Sequence, residues 1–217
     1  MLGRSITRNS ILLAVFAACT TALIAGTHLL TKDDIAEQKR RAEERALLQI
    51  IPKSRHNNSM LDDTIAVGPQ DAELGLRKDK QIYVARENGD VVAVIIPAVA
   101  RDGYSGDIEL IVGVNRDGTI AGVRALAQRE TPGLGDKVDL KKSNWMLSFN
   151  GRSLQNPTLA GWAVKKDDGI FDQFTGATIT PRAVVAAILR VLQFAATNRD
   201  SLFDISGTNV VPTGDNT

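Results

Sequence analysis

QIYVARENGDVVAVIIPAVARDGYSGDIELIVGVNRDGTIAGVRALA, residues 81–127, carries four apolar runs separated by turn residues. Gln81–Arg86 and Asp90–Val99 flank Glu87-Asn88-Gly89, and Ile108–Asn115 and Thr119–Ala127 flank Arg116-Asp117-Gly118. Asn-Gly and Asp-Gly tolerate the positive φ that tight turns need, so the spacing predicts two antiparallel β-hairpins. Alternation of Ile108, Leu110, Val112 and Val114 marks one buried face.

Toward the C-terminus, residues 136–150 read as a short helix plus loop with Trp145 in the core, and Gly161–Lys165 reads as a further strand. Pro181–Thr197 reads as a helix in which Thr180 is placed to cap and Pro181 suits the first helical position. From Asn198 the chain is polar and is expected to fray. Toward the N-terminus, residues 53–71 read as a polar loop and residues 33–50 as a helix stopped by Pro52. Its apolar stripe is Ile35, Ala42, Ala46, Leu47, Ile50 and Ile51, which suits either a stalk packed on its own domain or a helix for a partner. Hairpins with helices segregated around them give an α+β fold.

Ser10–Leu30 holds no charged residue, and Ile11–Leu30 is interrupted only by small residues, threonines and His28. About 20 residues suffice to cross ~30 Å of hydrocarbon, whereas a cleaved signal has an apolar core of ~7–15. Phe16-Ala17-Ala18-Cys19 is a poor lipoprotein cleavage site, so a single uncleaved transmembrane helix in a lipid bilayer is expected. Arg4 and Arg8 precede it, while Lys32, Lys39, Arg40, Arg41 and Arg45 follow, mixed with acids. A count of nearby Lys/Arg favours a cytoplasmic C-terminal part, but long domains translocate regardless of charge, and orientation stays open on this ground.

The 217 residues are 43% hydrophobic and 24% charged with net charge +1, which excludes a disordered chain. An anchor of about 30 residues leaves roughly 185, suited to one compact domain. No stretch joins dense Lys/Arg to aromatics, so nucleic acid is not expected as a partner. The single cysteine, Cys19, excludes an intrachain disulfide and an iron–sulfur cluster held by this chain alone. With only His28 and His56 besides, no metal site is expected, and redox chemistry would need an organic cofactor.

Two segments carry candidate chemistry. Gln128-Arg129-Glu130-Thr131-Pro132-Gly133-Leu134-Gly135-Asp136 follows a strand, and its glycines let backbone amides meet an anion or a ring edge, or simply turn the chain. Asp172-Gln173-Phe174-Thr175-Gly176-Ala177-Thr178-Ile179-Thr180 leads into the Pro181 helix. A hydroxyl there lies where helix amides and dipole favour a phosphate, and Gly176 and Ala177 leave Thr178 sterically open. The alternative is a capping loop in which Thr178 or Thr180 only satisfies helix amides. No nucleophile–base pair stands in a recognisable arrangement, so no catalytic residue is assigned.

Asp-x-x-Thr-Gly-Ala-Thr at Asp172–Thr178 resembles the acceptor motif of flavin transferases, which move FMN from FAD onto the last Thr or Ser. Gly103-Tyr104-Ser105-Gly106-Asp107-Ile108, the Asn115–Gly122 hairpin and Glu130-Thr131-Pro132-Gly133-Leu134-Gly135 resemble, in order and spacing, the FMN-binding domain that accompanies it. Behind a single span, this set is similar to the G subunits of Rnf-type electron transport complexes, relatives of the C subunit of the sodium-translocating NADH:quinone reductase. The resemblance covers the anchor and residues 80–197 and divides the chain into a tail (1–9), an anchor (10–31), a stalk and loop (32–79), an FMN-binding domain (80–197) and a C-terminal tail (198–217).

The resemblance implies FMN held by a phosphoester on Thr178, with Asp172, Thr175, Gly176 and Ala177 as the motif read by a flavin transferase. It implies that Glu130, Thr131 and Leu134 line the flavin. Many relatives have a histidine where this chain has Gln128. The implied protein passes electrons among the other subunits of an ion-translocating complex in the bacterial inner membrane, its FMN domain on the periplasmic side. Two readings compete with it: a noncovalent flavoprotein, and a scaffold subunit without flavin.

Overall fold

The structure is a computed structural model that describes residues 2–204, apart from some side chains of the first 42 residues. The chain divides into two units, Met1–Arg45 and Ala46–Thr217. The described residues of the first lie within helix α1 (Leu2–Ile50). Its stretch Asn9–His28 has mean hydropathy 2.0 and no buried residue in its most apolar window, as a span awaiting lipid would. Three threonines inside and just beyond it pair their hydroxyls with the helix's own carbonyls. Thr20, Thr27 and Thr31 donate to the carbonyls of Phe16, Leu23 and Thr27 at 2.8–2.9 Å.

The second unit is built on a five-stranded antiparallel meander, ordered β1 (Thr64–Val67), β2 (Lys80–Glu87), β3 (Asp90–Ala100), β4 (Ile108–Asn115) and β5 (Ile120–Ala127). The fold is α+β, as expected. The Asn88 and Gly89 turn and the Gly118 turn take positive φ at 54°, 95° and 84°. Strand β1 was not expected. Its four residues are too few to show alternation, and pairing to β2, with Thr64 opposite Tyr83, creates it. A polar clasp beside it holds Asp63: Arg86 Nε and Asn58 Nδ2 donate to Asp63 Oδ2 at 2.7 and 2.9 Å.

Both faces of the sheet are buried. Val94, Ile96, Ala98, Ile108, Leu110, Val112 and Val114 face the larger core, where helix α2 (Ile179–Thr197) packs. Ala93, Ile95 and Ile111 face a second cluster with Leu47, Ile50, Ile51 and Met60. This double burial explains why residues 91–100 read as an unbroken apolar run. Ile50 sits over the cross-strand pair Gly113 and Gly122. A Cβ on Gly122 would lie 3.4 Å from the Ile50 Cγ2 methyl, and one on Gly113 would collide with it. The C-terminal part of the expected stripe therefore packs on its own domain, while the side chains of Ile35 and Ala42 lie outside the described residues.

Three expectations are corrected. Gly161–Lys165 is not a strand; it is two single 3₁₀ turns joined to Phe171 by one bridge at Val164. Its alternation is real, since Trp162 and Val164 are buried, but it points into an aromatic cluster rather than a sheet. Thr180 does not cap: α2 begins at Ile179, Thr178 is the N-cap residue, and Pro181 is third, still within the turn that needs no donor. The chain after Asn198 is not wholly frayed, because helix α3 (Arg199–Phe203) buries Leu202 and Phe203. Residues 205–217 of the expected tail lie outside the described residues.

Candidate functional site

Where β5 ends and α2 begins, a cleft of about 360 Å³ opens between Tyr104, Glu130, Thr131, Leu134, Gly135, Gly176, Ala177, Thr178 and Ile179. Three loops from distant parts of the chain meet there. All are at the sheet end where Ala100 pairs with Ile108 and Glu109 with Ala127. The Arg116-Asp117-Gly118 turn, though part of the suggestive pattern, stands at the opposite end of β4. At ~3.3 Å per residue that is about 25 Å away.

The Glu130–Asp136 loop is tied to itself. Leu134 and Gly135 N–H both donate to the Thr131 carbonyl at 3.1 Å, and Gly133 N–H donates to Asp136 Oδ1 at 2.8 Å. The expectation of free amides for a ligand is therefore not met at these three residues. What the loop offers is the Leu134 side chain, 40% exposed, and the exposed Thr131. Gln128 has a structural part here, since its Oε1 accepts from Glu130 N–H at 2.6 Å.

The acceptor segment is held from behind. Phe171 and Phe174 are buried in a cluster with Trp145, Phe149 and Trp162, with ring centroids 4.5 Å apart for Phe149–Phe171 and 4.9 Å for Trp145–Phe174. Trp145 Nε1 donates to the Asp172 carbonyl at 2.8 Å. Between those anchors the chain reverses at Phe174–Ala177, with Ala177 N–H donating to the Phe174 carbonyl at 3.0 Å. Gly176 takes φ +82° there, which a side chain rarely adopts. A Cβ on it would also stand 3.3 Å from Leu134 Cδ2, on the cleft wall.

Thr178 emerges half-buried beside the cleft, and its side chain makes no capping bond. The first amides of α2 are thus left to other acceptors. Asp172 and Thr175 do not line the cleft; both are exposed on the outer side of the turn. The Asp172 carboxylate pairs with Lys165 Nζ at 2.6 Å, a solvated contact worth about 0–1 kcal/mol. Arg182, one turn beyond Thr178, is already engaged by Asp167 through two bonds of 2.5 and 2.6 Å. Those bonds raise the guanidinium pKa and hold Asp167 below the usual carboxylate range. Arg77 does the same to Asp107, at the end of the Tyr104 loop.

Sequence reasoning assigned no roles to Tyr104 and Ile179, exposed apolar walls of the cleft, and misplaced Thr180, whose hydroxyl donates to Glu130. A large aromatic in a glycine-flanked loop was the available signal for Tyr104. The cleft suits a flat ring with an anionic arm. Its volume is within the range of ligand sites, its exposed walls are apolar, and uncapped helix amides lie at one side.

Comparison with known proteins gives concordant matches. The FMN-binding domain model matches residues 103–193, and that of the RnfG N-terminal region matches residues 1–50. The chain is 46% identical over 198 residues to the G subunit of the ion-translocating oxidoreductase complex of Vibrio atlanticus, covering 91% of this chain and 94% of that one. It is 48% identical over 199 residues to the G subunit of the same complex in Pseudomonas aeruginosa, covering 92% of each. Among solved structures, the C subunit of the Na(+)-translocating NADH-quinone reductase of Parabacteroides distasonis aligns with a TM-score of 0.44 and 19% identity. That alignment covers 71% of this chain and 94% of that chain.

Proposed function

The chain belongs to the G subunits of ion-translocating oxidoreductase complexes and contains their FMN-binding domain, and from that premise we propose that it carries electrons on FMN esterified to Thr178. The observation that carries the proposal is Thr178 itself: its uncapped hydroxyl lies at the helix start, beside an apolar-walled cleft. FMN, when bound, supplies the one- and two-electron chemistry that the side chains lack.

The chain's own residues do the rest. The start of α2 offers amides and a positive dipole end to the phosphate. Leu134, Ile179 and Tyr104 offer apolar surface to the ring, and Thr131 a hydroxyl at its edge. Asp172 and Thr175, on the open side of the turn, are presented to a flavin transferase rather than to the ring. A covalent tether keeps the cofactor at high effective concentration through every turnover. The Asn9–His28 span anchors the protein, the domain lies in the periplasm, and electron passage to neighbouring subunits is coupled to ion translocation.

Intact mass of the denatured protein, made with and without a flavin transferase, tests the central point. A gain of one FMN less water only with the transferase, mapped to the Thr178 peptide and absent from Thr178→Ala, is the expected result. No adduct beside an active transferase leaves a scaffold protein without flavin; flavin lost on denaturation means noncovalent binding. Protease added to spheroplasts should digest the domain if it is periplasmic.

A further inference from the structure

Glu130 was expected to line the flavin, yet its carboxylate is already committed. The residue is 4% exposed, Oε1 accepts from Ser105 N–H at 2.9 Å, and Oε2 accepts from the Thr180 hydroxyl. Thr180 has no exposed surface. One carboxylate therefore joins the Tyr104 loop, the end of β5 and the first turn of α2. The fit leaves no slack: a Cβ on Gly135 would stand 2.7 Å from Glu130 Oε2 and 2.9 Å from Thr180 Oγ1.

Thr178 and Thr180 are two residues apart at a helix start, and Thr178 already has helical φ and ψ of −85° and −22°. At about 100° per residue, hydroxyls at i and i+2 point some 200° apart, so only one can face the cleft. Drawing Thr180 inward to Glu130 sets the rotation of the turn and leaves Thr178 at the cleft. We propose that Glu130 is a positioning residue that acts through Thr180, fixing the helical phase that presents Thr178 as the hydroxyl to be esterified.

This rests on the reading of Thr178 as the acceptor. In the transfer itself the Thr178 Oγ–phosphorus bond forms, the pyrophosphate bond of FAD breaks, AMP leaves and the hydroxyl proton is released. Glu130 takes no part in those bond changes.

The test uses the full-length protein in detergent, with a purified flavin transferase and FAD, following the initial rate of FMN incorporation. Thr180→Val removes the hydroxyl at nearly constant shape, Thr180→Ser keeps it, and Glu130→Gln leaves one acceptor oxygen for two donors. Loss of a hydrogen bond to a charged group predicts that Thr180→Val and Glu130→Gln slow incorporation at least about tenfold, with Thr180→Ser within about twofold of the parent. Amide hydrogen exchange on the unmodified proteins is the second readout. It should rise at the first amides bonded within α2, from Arg182 onward, for Val and Gln but not in its last turns, where a general loss of stability would also register.

Parent-like rates in both Thr180→Val and Glu130→Gln overturn the proposal, as does an equal loss in Thr180→Ser. If Thr180→Val does not fold, Glu130→Gln decides alone. If the parent takes up no FMN, the reading of Thr178 fails instead, and localised exchange still decides whether Glu130 clamps the turn.

Discussion

Asn9–His28 and Ile179–Thr197 are similar in length, 20 and 19 residues, and both are apolar, with mean hydropathies of 2.0 and 1.5. One has no buried residue in its window, and the other is 61% buried. The difference lies in how exposure is distributed. Along α2 exposed Ile179, Arg182, Ala186, Gln193 and Ala196, with half-buried Arg190, recur every three or four positions and form one strip outside the core, ending at exposed Thr197. The other faces meet the sheet. Ser10–Leu30 has no such strip, because no position holds a charge. Length and hydropathy thus do not separate a span from a core helix, whereas polar residues at helical spacing, here Arg182, Arg190 and Gln193, do.

Charge in the wrong place should break this contrast most strongly. Ile188 is fully buried in α2, so Ile188→Asp should cost about 4 kcal/mol or more and abolish cooperative thermal unfolding. A domain that still melts cooperatively would mean that α2 is not a core helix. The two alanines Ala17 and Ala186 give the sharper pairing. Ala17→Lys should disfavour insertion by about 2.5–3.5 kcal/mol, read as protein lost from carbonate-washed membranes, while Ala186→Lys on the strip should shift stability by no more than ~0.5 kcal/mol.

The opposite face of the sheet offers an intermediate test. Gly113→Val would push against Ile50 and should destabilise the domain by about 1–3 kcal/mol, with partial recovery in Gly113→Val/Ile50→Ala by denaturant titration. Acid should act least, and only on the domain. Asp107, Asp117 and Asp167 have folded pKa values held below the ordinary value, chiefly by hydrogen bonds from Arg77, Thr119 and Arg182. The unfolded chain then binds protons first. Their contribution is present above the unfolded value, about 3.9, and is lost as pH falls through the lower folded values. Melting temperature should dip slightly below pH 4; a rise would contradict these pairings.

Much of this architecture was legible because its signals are local. The Asn-Gly and Asp-Gly turns fixed the hairpins, and an uncharged run gave the N-terminal apolar helix. Elements made by tertiary pairing were not legible. Strand β1 exists because β2 lies beside it, whereas residues 161–165 alternate without becoming a strand because the Phe149 and Phe171 rings receive Trp162 and the backbone meets only the short return at 169–171. At the candidate site the same division holds. The open turn at Gly176 and Ala177 was readable from the residues, while the choice of Thr178 came from the resemblance, and Thr180 reads as a cap until Glu130, fifty positions earlier, is seen to accept its hydroxyl. Free amides in the Glu130–Gly135 loop were a fair expectation that internal bonds to Thr131 and Asp136 cancel.

The aromatic wall behind the acceptor segment also makes the protein its own optical probe. Trp145 and Trp162 are the chain's only tryptophans, and both stand in that wall, with one indole N–H bonded to the Asp172 carbonyl. All indole fluorescence therefore originates beside Asp172–Thr178. A change in that emission reports on this corner before any global unfolding, and a yellow chromophore in the neighbouring cleft would quench it.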